Sequence, residues 1–175
     1  MALSGMPRAV LAAIAAMIGL IAASNYLVQF PINDWLTWGA LLFPVCFLVT
    51  DLTNRAFGAT HTRKMVLIAF PVAILVSMLL ATPRIGLASG TAFLVGQMLD
   101  VSVFDRLRRS SWWQAPLVSS ILASAVDTAL FFSLAFYATP VPWVTLGIGD
   151  FGVKVVLAMA MLVPFRLLMP SFRAA

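Results

Sequence analysis

The sequence contains few charged residues, a single cysteine and no nucleotide-binding loop. Only 10% of its 175 residues are Asp, Glu, Lys or Arg, whereas 62% are hydrophobic. Cys46 is the one cysteine, so the chain can form no internal disulfide and has no set of thiolate metal ligands. A Gly-x-x-x-x-Gly-Lys-Ser/Thr loop is absent, which excludes a P-loop ATPase. This composition indicates a chain whose side chains mostly face lipid or one another.

Long apolar runs dominate what is present, and each run ends at charges, Pro or Gly. About 20 apolar residues are needed for one helical crossing of a bilayer. Barrel strands would alternate apolar and polar residues, which these runs do not do. The sequence therefore predicts an all-α polytopic membrane protein with one domain, residues 1–175. Its six predicted transmembrane helices are 9–30, 36–57, 65–82, 85–104, 113–138 and 143–166.

Basic residues predict the orientation, because Lys and Arg in short loops stay on the cytoplasmic side. Arg84 falls outside and Lys154 falls within a span. The remaining nine would be inside: Arg8, Arg55, Arg63, Lys64, Arg106, Arg108, Arg109, Arg166 and Arg173. Both termini are therefore predicted to be cytoplasmic. The net charge of +5 lies in these juxtamembrane loops, so we expect a lipid bilayer and no nucleic acid as its partner.

Four aspartates and a lysine interrupt the predicted spans. A charged side chain in the bilayer centre costs on the order of 2.5 to 3.5 kcal/mol even on the lenient insertion scale. The usual reason for such residues is a polar pocket or path within a bundle. Counting helical rise from the span ends predicts two layers: Asp51 and Asp100 in the inner half, and Asp127 and Asp150 near the middle and outer half, with Lys154 between the layers.

Helical spacing predicts which polar residues share a face, because positions three, four and seven apart lie on one side. Helix 1 contributes Ser24 and Asn25, and helix 3, with Ser77 alone in mid-span, is predicted to be scaffold. The other stripes are Phe47, Asp51, Asn54 and Arg55 in helix 2; Ser89, Phe93, Gly96, Gln97 and Asp100 in helix 4; Ser120, Ser124, Asp127 and Phe131 in helix 5; and Gly147, Asp150, Lys154 and Leu157 in helix 6.

A purely structural role is open for some of these charges. Asp150 and Lys154 are spaced to neutralise one another, and Asp51 could pair with Arg55 in the same way. Asp100 and Asp127 have no cation on their own helix, so they must be protonated, pair across helices or face water. These two aspartates favour a functional reading.

The string Gly147-Ile148-Gly149-Asp150 resembles the Gly-x-Gly-Asp motif of intramembrane aspartyl proteases. Such an enzyme needs a second aspartate at matching depth, so that two carboxyl groups activate one water. Asp127 comes closest in depth but follows Val126, where that family has Tyr. Lys154, one turn from Asp150, would also keep it ionised. The protease is therefore a remote alternative, and we expect no enzyme activity and no catalytic residues.

A wider set of residues resembles the vitamin uptake transporter family, whose bacterial members are queuosine precursor transporters. The likeness touches five of the six predicted spans in order, and it departs at Ala123-Ser124 and Phe151. It lies in SNYLVQFP at 24–31, TWGA at 37–40, FLVTDLT at 47–53, GQMLDV at 96–101, RLR at 106–108, Trp112-Trp113, Ala115-Pro116, Asp127-Thr128, Phe131-Phe132, Asp150, Lys154 and Pro164.

The resemblance implies a six-helix importer in the bacterial inner membrane. Its small-molecule substrate would be 7-cyano-7-deazaguanine, and the aminomethyl relative is a further candidate. Such a base offers adjacent donors on one edge, a keto oxygen and a flat π face. We assign Asp127 or Asp100 to the donor edge, Asn25 and Gln97 to other polar atoms, and Phe131 or Trp38 to stacking. Asp150 and Lys154 would form a switchable pair, and Asp51 completes the substrate-binding set.

Transport of a neutral base needs alternating access, and the sequence leaves its energetics open. Proton coupling through Asp51 or Asp100 and facilitated diffusion are both compatible with these residues. A substrate-binding subunit of an ATPase-energised importer, or a channel, is a further alternative. No metal or cofactor is expected, and a homo-oligomer stays open.

Overall fold

The structure is a computed structural model that describes residues 6–173, with side chains to residue 170. Both chain termini, which are predicted to be cytoplasmic, and the side chain of Arg173 lie outside the described part. The elements are α1 (Arg8–Leu27), β1 (Pro31–Asn33), β2 (Leu36–Thr37), a 3-10 turn (Trp38–Leu41), α2 (Phe43–Leu80), α3 (Pro83–Leu107), α4 (Gln114–Phe136) and α5 (Trp143–Arg173).

Five helices in the described residues are long and apolar enough to cross a membrane. Their outward faces carry apolar side chains that only lipid can cover, such as Leu79 and Leu167, which are 85% and 71% exposed. Small and polar residues lie on the buried faces. The chain is therefore a helical, multi-pass membrane protein, as the hydrophobic runs predict.

The segment between α1 and α2 differs from the prediction. The first predicted helix extended to residue 30 and the second began at residue 36, but α1 ends at Leu27 and α2 begins at Phe43. Between them, β1 and β2 pair as an antiparallel hairpin. Pro31 disfavours helical backbone at the residue before it, and Asn33 Oδ1 accepts a hydrogen bond from Trp35 N (2.8 Å) in the turn.

Helix α2 contains both the second and third predicted helices, 36–57 and 65–82, and its backbone is broken at Gly58 (φ 83°, ψ 167°). Before the break, Thr50 bonds Gln97 and Asn54 bonds Val101, so the first half of α2 runs parallel to α3. After the break, residue numbers that increase along α2 meet residue numbers that decrease along α3. Arg63 bonds Ser102, and Met78 packs on Gly86. The second half is therefore antiparallel to α3, and α2 folds back on itself at Gly58.

The remaining helices alternate in direction. Helix α1 runs with the second half of α2, since Asn25 bonds Ser77 and Gln29 bonds Leu80. Arg84 at the start of α3 donates to the Tyr137 carbonyl beyond the end of α4. Helices α4 and α5 are antiparallel as well. Phe132 contacts Gly147, whereas Asp127, earlier on α4, contacts Lys154, later on α5. The Gly58 turn thus lies at one end of the bundle, and the β1–β2 hairpin lies at the other.

Candidate functional site

A narrow polar cavity lies between α1, the first half of α2, and α3, α4 and α5. Five of the nine substrate-binding residues proposed from the sequence line it: Asn25, Asp127, Phe131, Asp150 and Lys154. We call this space the hairpin-side cavity, because the 3-10 turn that follows the β1–β2 hairpin forms part of its wall. Its other lining residues are Ser24, Val28, Gly39, Ala40, Phe43 and Ser89.

Lys154 is the centre of a buried charge cluster at this cavity. Its Nζ lies 2.8 Å from Asp127 Oδ2, 2.7 Å from Asp150 Oδ2 and 3.0 Å from Thr128 Oγ1. Thr128 in turn donates a hydrogen bond to Asp150 Oδ2 (2.7 Å), and Lys154 is only 3% exposed. The Phe43 ring faces the ammonium at 4.8 Å. Asp127 therefore pairs across helices, while Asp150 and Lys154 pair within α5.

Two side chains of α1 fix the wall opposite this cluster. Asn25 Nδ2 donates to Ser77 Oγ (2.7 Å), which ties the cavity to the second half of α2. Ser24 Oγ donates to the Gly39 carbonyl (3.0 Å). A Cβ at Gly39 would lie 2.6 Å from the Ser24 carbonyl oxygen, so this approach of turn to helix requires glycine.

A second narrow cavity lies on the other side of Lys154, toward the end of the bundle that carries the Gly58 turn. Among the described residues, Lys154 alone lines both spaces. We call this one the Asp51 cavity. Its lining residues are Pro44, Phe47, Leu48, Asp51, Pro116, Ser120, Ser124, Lys154, Ala158, Met161, Leu162 and Phe165.

The other candidate residues lie away from the hairpin-side cavity. Asp51 lines the second cavity and accepts hydrogen bonds from Ser119 (3.5 Å) and Ser120 (3.3 Å). Asp100 is completely buried on α3, three residues after Gln97 on the same helix face. Gln97 is also completely buried and accepts from Thr50 Oγ1 (2.5 Å). Trp38 is 52% exposed on the 3-10 turn.

Three residues of these clusters were not on the list of candidates from the sequence: Phe43, Thr128 and Ser119. Phe43 lies one turn before Phe47, so extending the stripe of Phe47 and Asp51 by four residues would have found it. Thr128 and Ser119 each sit beside a residue that was proposed, on a flank of the helix face. Their contacts depend on where α5 and α2 cross α4, which spacing within one helix does not encode.

The Gly-x-Gly-Asp string has a packing role in the fold. A Cβ on Gly149 would collide with the carbonyl of Trp35, so this glycine lets the hairpin dock on α5. Thr145 Oγ1 adds a hydrogen bond to the Asp34 carbonyl (2.8 Å). The Lys154 ammonium contacts both Asp127 and Asp150 carboxylates, where an aspartyl protease would need a shared water.

Apolar helices that enclose buried charges and two narrow cavities define a class: multi-pass membrane proteins with buried polar clusters inside the bundle. A protein-family model described as "Putative vitamin uptake transporter" matches residues 37–82 and 76–169. The chain therefore belongs to the vitamin uptake transporter family, which confirms the resemblance seen in its motifs.

Two curated relatives cover most of the chain. The "Probable queuosine precursor transporter" of Haemophilus influenzae is 38% identical over an alignment 186 positions long, which covers 83% of this chain and 79% of that protein. The "Queuosine precursor transporter" of Escherichia coli K12 is 35% identical over an alignment 174 positions long, with the same two coverages. No solved structure matches the chain.

Proposed function

We propose that this chain imports queuosine precursors, 7-cyano-7-deazaguanine first among them, across the bacterial inner membrane by alternating access. The observation that carries the proposal is the Lys154 cluster, which places carboxylates and an ammonium beside aromatic rings in one buried cavity. The names of two relatives at 35% and 38% identity supply the substrate class.

The cavity chemistry suits a flat, neutral heterocycle with a donor edge. A carboxylate accepts two adjacent N–H groups in bidentate fashion, and we assign this role to Asp127. Lys154, released from that carboxylate by the ligand, would donate to the keto oxygen while it stays paired with Asp150. Asn25 supplies further hydrogen bonds, and the rings of Phe43 and Phe131 are placed to stack.

The same proposal includes six membrane crossings with cytoplasmic termini. Helix α2 has 38 residues and would span about 57 Å if it were straight, nearly twice the hydrocarbon thickness of about 30 Å. Its reversal at Gly58 supports two crossings instead. Of the ten basic residues with described side chains, eight lie toward the end with the Gly58 turn, which supports a cytoplasmic location for that end.

The two cavities support alternating access. Each is narrow, so a fused-ring base can enter one only after the helices that line it separate. Lys154 and its carboxylates form the barrier between the hairpin-side cavity and the Asp51 cavity. A ligand that competes for Asp127 would loosen this barrier, which links binding to opening toward the cytoplasm.

Uptake by whole cells tests the proposal. The host lacks both its own precursor uptake and precursor synthesis, and this chain is the sole addition. We expect accumulation of labelled 7-cyano-7-deazaguanine, a loss of about tenfold or more for Asp127→Asn because one bidentate contact is removed, and unchanged uptake for the exposed Asp34→Asn. Uptake that appears only with co-expressed ATPase subunits would instead identify a substrate-binding subunit.

A further inference from the structure

A second buried polar cluster lies apart from the Lys154 cluster, and the proposed binding of the base does not use it. It lies where the first half of α2 meets α3 and α4. Thr50 bonds Gln97 and Asn54 bonds Val101 across this junction, which places Asp51 and Asp100 at one helix interface, with exposures of 3% and 0%. Ser119 and Ser120 donate to the Asp51 carboxyl. We call this group the aspartate pair.

In the part of the chain that the structure describes, Asp100, one member of the aspartate pair, lacks hydrogen-bond donors. Within the described residues, both carboxyl oxygens of Asp100 and the amide oxygen of Asn54 are buried without any hydrogen-bond partner. Two ionised carboxylates are acceptors only, and placing them side by side in low dielectric is strongly unfavourable. A proton between the two carboxyl groups supplies the missing donor and removes one negative charge.

Lys154 and Arg108, the cations described near the pair, bind other partners. Lys154 reaches the Asp51 cavity but binds Asp127 and Asp150. Arg108 donates to the backbone carbonyls of Asn54 and Arg55.

Other charged or titratable groups lie on the same helices. Arg55 donates to the Arg108 carbonyl at the Gly58 turn. On α1, Arg8 and Tyr26 lie near the two helix ends, and Cys46 is more than one turn from Asp51 on α2. Asp127 and Asp150 belong to the Lys154 cluster.

We propose that Asp51 and Asp100 hold one shared proton, and that this pair is the site at which proton movement is coupled to import. The inference rests on the proposed function and adds the coupling ion and its residues. One proton crosses with each neutral base. It reaches the pair from the hairpin-side cavity past Lys154, the residue common to both cavities. On the cytoplasmic side the carboxyl O–H bond breaks, and the proton passes to water in the Asp51 cavity.

Purified protein in liposomes separates this inference from the proposed function. Exchange of labelled for unlabelled 7-cyano-7-deazaguanine at equal concentrations needs the binding site but no net proton movement. Concentrative uptake in sodium-free buffer needs the proton gradient. For one proton per neutral base, each cycle moves one positive charge, so the membrane potential is clamped at zero. An inside-alkaline gradient of about one pH unit should then drive about tenfold accumulation, because the two gradients hold equal free energy.

Asp100→Asn removes the proton-sharing partner while it keeps the shape of the side chain. We expect this variant to retain exchange and lose accumulation. The exposed Asp34→Asn is the matched control and should do both. Accumulation by Asp100→Asn at the level of the original protein, or accumulation driven by a sodium gradient alone, would overturn the inference. Absence of exchange in the original protein would instead refute the proposed function and, with it, the coupling.

A measurement on the unaltered protein covers the case in which Asp100→Asn does not fold. Vesicles that contain a trapped pH-sensitive dye receive an inward gradient of the base. Coupled import should acidify the interior at a rate that matches base entry. Base entry without acidification would show facilitated diffusion and overturn the inference.

Discussion

At the scale of single residues, Lys154 satisfies two buried carboxylates and separates two cavities. A buried ion pair gains little over an apolar substitute, but removing one member leaves an uncompensated charge, which costs several kcal/mol. Removing one member of the cluster of Lys154, Asp127 and Asp150 is therefore strongly destabilising. A ligand that offers Asp127 other donors can instead replace its contact with Lys154 without leaving a buried charge unpaired. This is the property that a binding site in a carrier requires.

Lys154→Met should destabilise the protein by about 3 kcal/mol or more, because it leaves Asp127 and Asp150 as neighbouring buried carboxyl groups. Thermal unfolding of the purified protein in detergent measures the loss. The triple variant Lys154→Met, Asp127→Asn, Asp150→Asn removes all three charges and should recover much of the stability, since the effects of coupled residues do not add. A single variant as stable as the original would contradict the buried cluster.

The sequence predicts part of this cluster and misses the rest for a clear reason. Spacing along α5 places Asp150 and Lys154 on one face, and they do form a pair. The approach of Asp127 and Thr128 depends on the crossing of α4 with α5, which no single-helix pattern contains. Trp38 shows the same limit: an apolar aromatic side chain near a span end is compatible with a cavity wall or with the exposed turn that the structure has.

At the scale of elements, the Gly58 break decides the path of the chain. Its φ of 83° and ψ of 167° lie in a region that is essentially restricted to glycine and costs an ordinary L-residue about 1 to 3 kcal/mol. The backbone carbonyls of Asn54 and Arg55 near the break are bonded by the Arg108 guanidinium. The turn is thus held by glycine geometry and by Arg108, the residue that follows α3.

Gly58→Ala should lower stability by about 1 kcal/mol because the left-handed backbone becomes strained. Gly19→Ala is the matched control. Gly19 lies within α1 with nothing within 4 Å of an added Cβ, so alanine there should be neutral or stabilise by up to about 1 kcal/mol through helix propensity. Thermal unfolding of the two variants side by side tests the difference. Equal shifts would mean that Gly58 is not a required turn.

The hairpin is the element that hydropathy could not predict. Apolar residues continue from α1 through Phe30, so the hydrophobic run hides the end of the helix at Leu27. Pro31 marks the change locally, but the docking of the hairpin is a tertiary contact, made by Trp35 and Asp34 to α5. Sequence patterns therefore give the number and type of the long segments better than the connections between them.

Gly149→Ala should displace the hairpin, because its new Cβ would meet the Trp35 carbonyl. Ser89→Cys, in a Cys46→Ala background, reports access to the hairpin-side cavity, where Ser89 is 2% exposed. A membrane-impermeant maleimide added outside should label this cysteine faster when Gly149→Ala is present. Gly152→Ala on the same helix meets nothing within 4 Å and should leave the labelling rate unchanged. Equal labelling in both would exclude the hairpin as a cover.

At the scale of the whole molecule, polarity is distributed opposite to that of a soluble protein. Apolar side chains face outward, and the aspartates that interrupt the spans are buried together in two clusters. Composition and basic-residue bias can predict the lipid-facing exterior and the orientation, because both depend on sums over many residues. The pairing of Asp51 with Asp100, and of Asp127 with Lys154, requires the packed bundle.

The proposed topology makes a prediction for the bundle as a whole. In a Cys46→Ala background, exposed positions at the two ends are changed singly to cysteine: Thr60 and Ser110 at the end with the Gly58 turn, and Asp34 and Pro140 at the hairpin end. An impermeant maleimide should label the hairpin-end cysteines in intact spheroplasts and the other two only after permeabilisation, because two crossings within α2 put Thr60 on the cytoplasmic side. If α2 crossed only once, Thr60 would lie in the hydrocarbon and resist labelling under both conditions, and the six-crossing topology would be wrong.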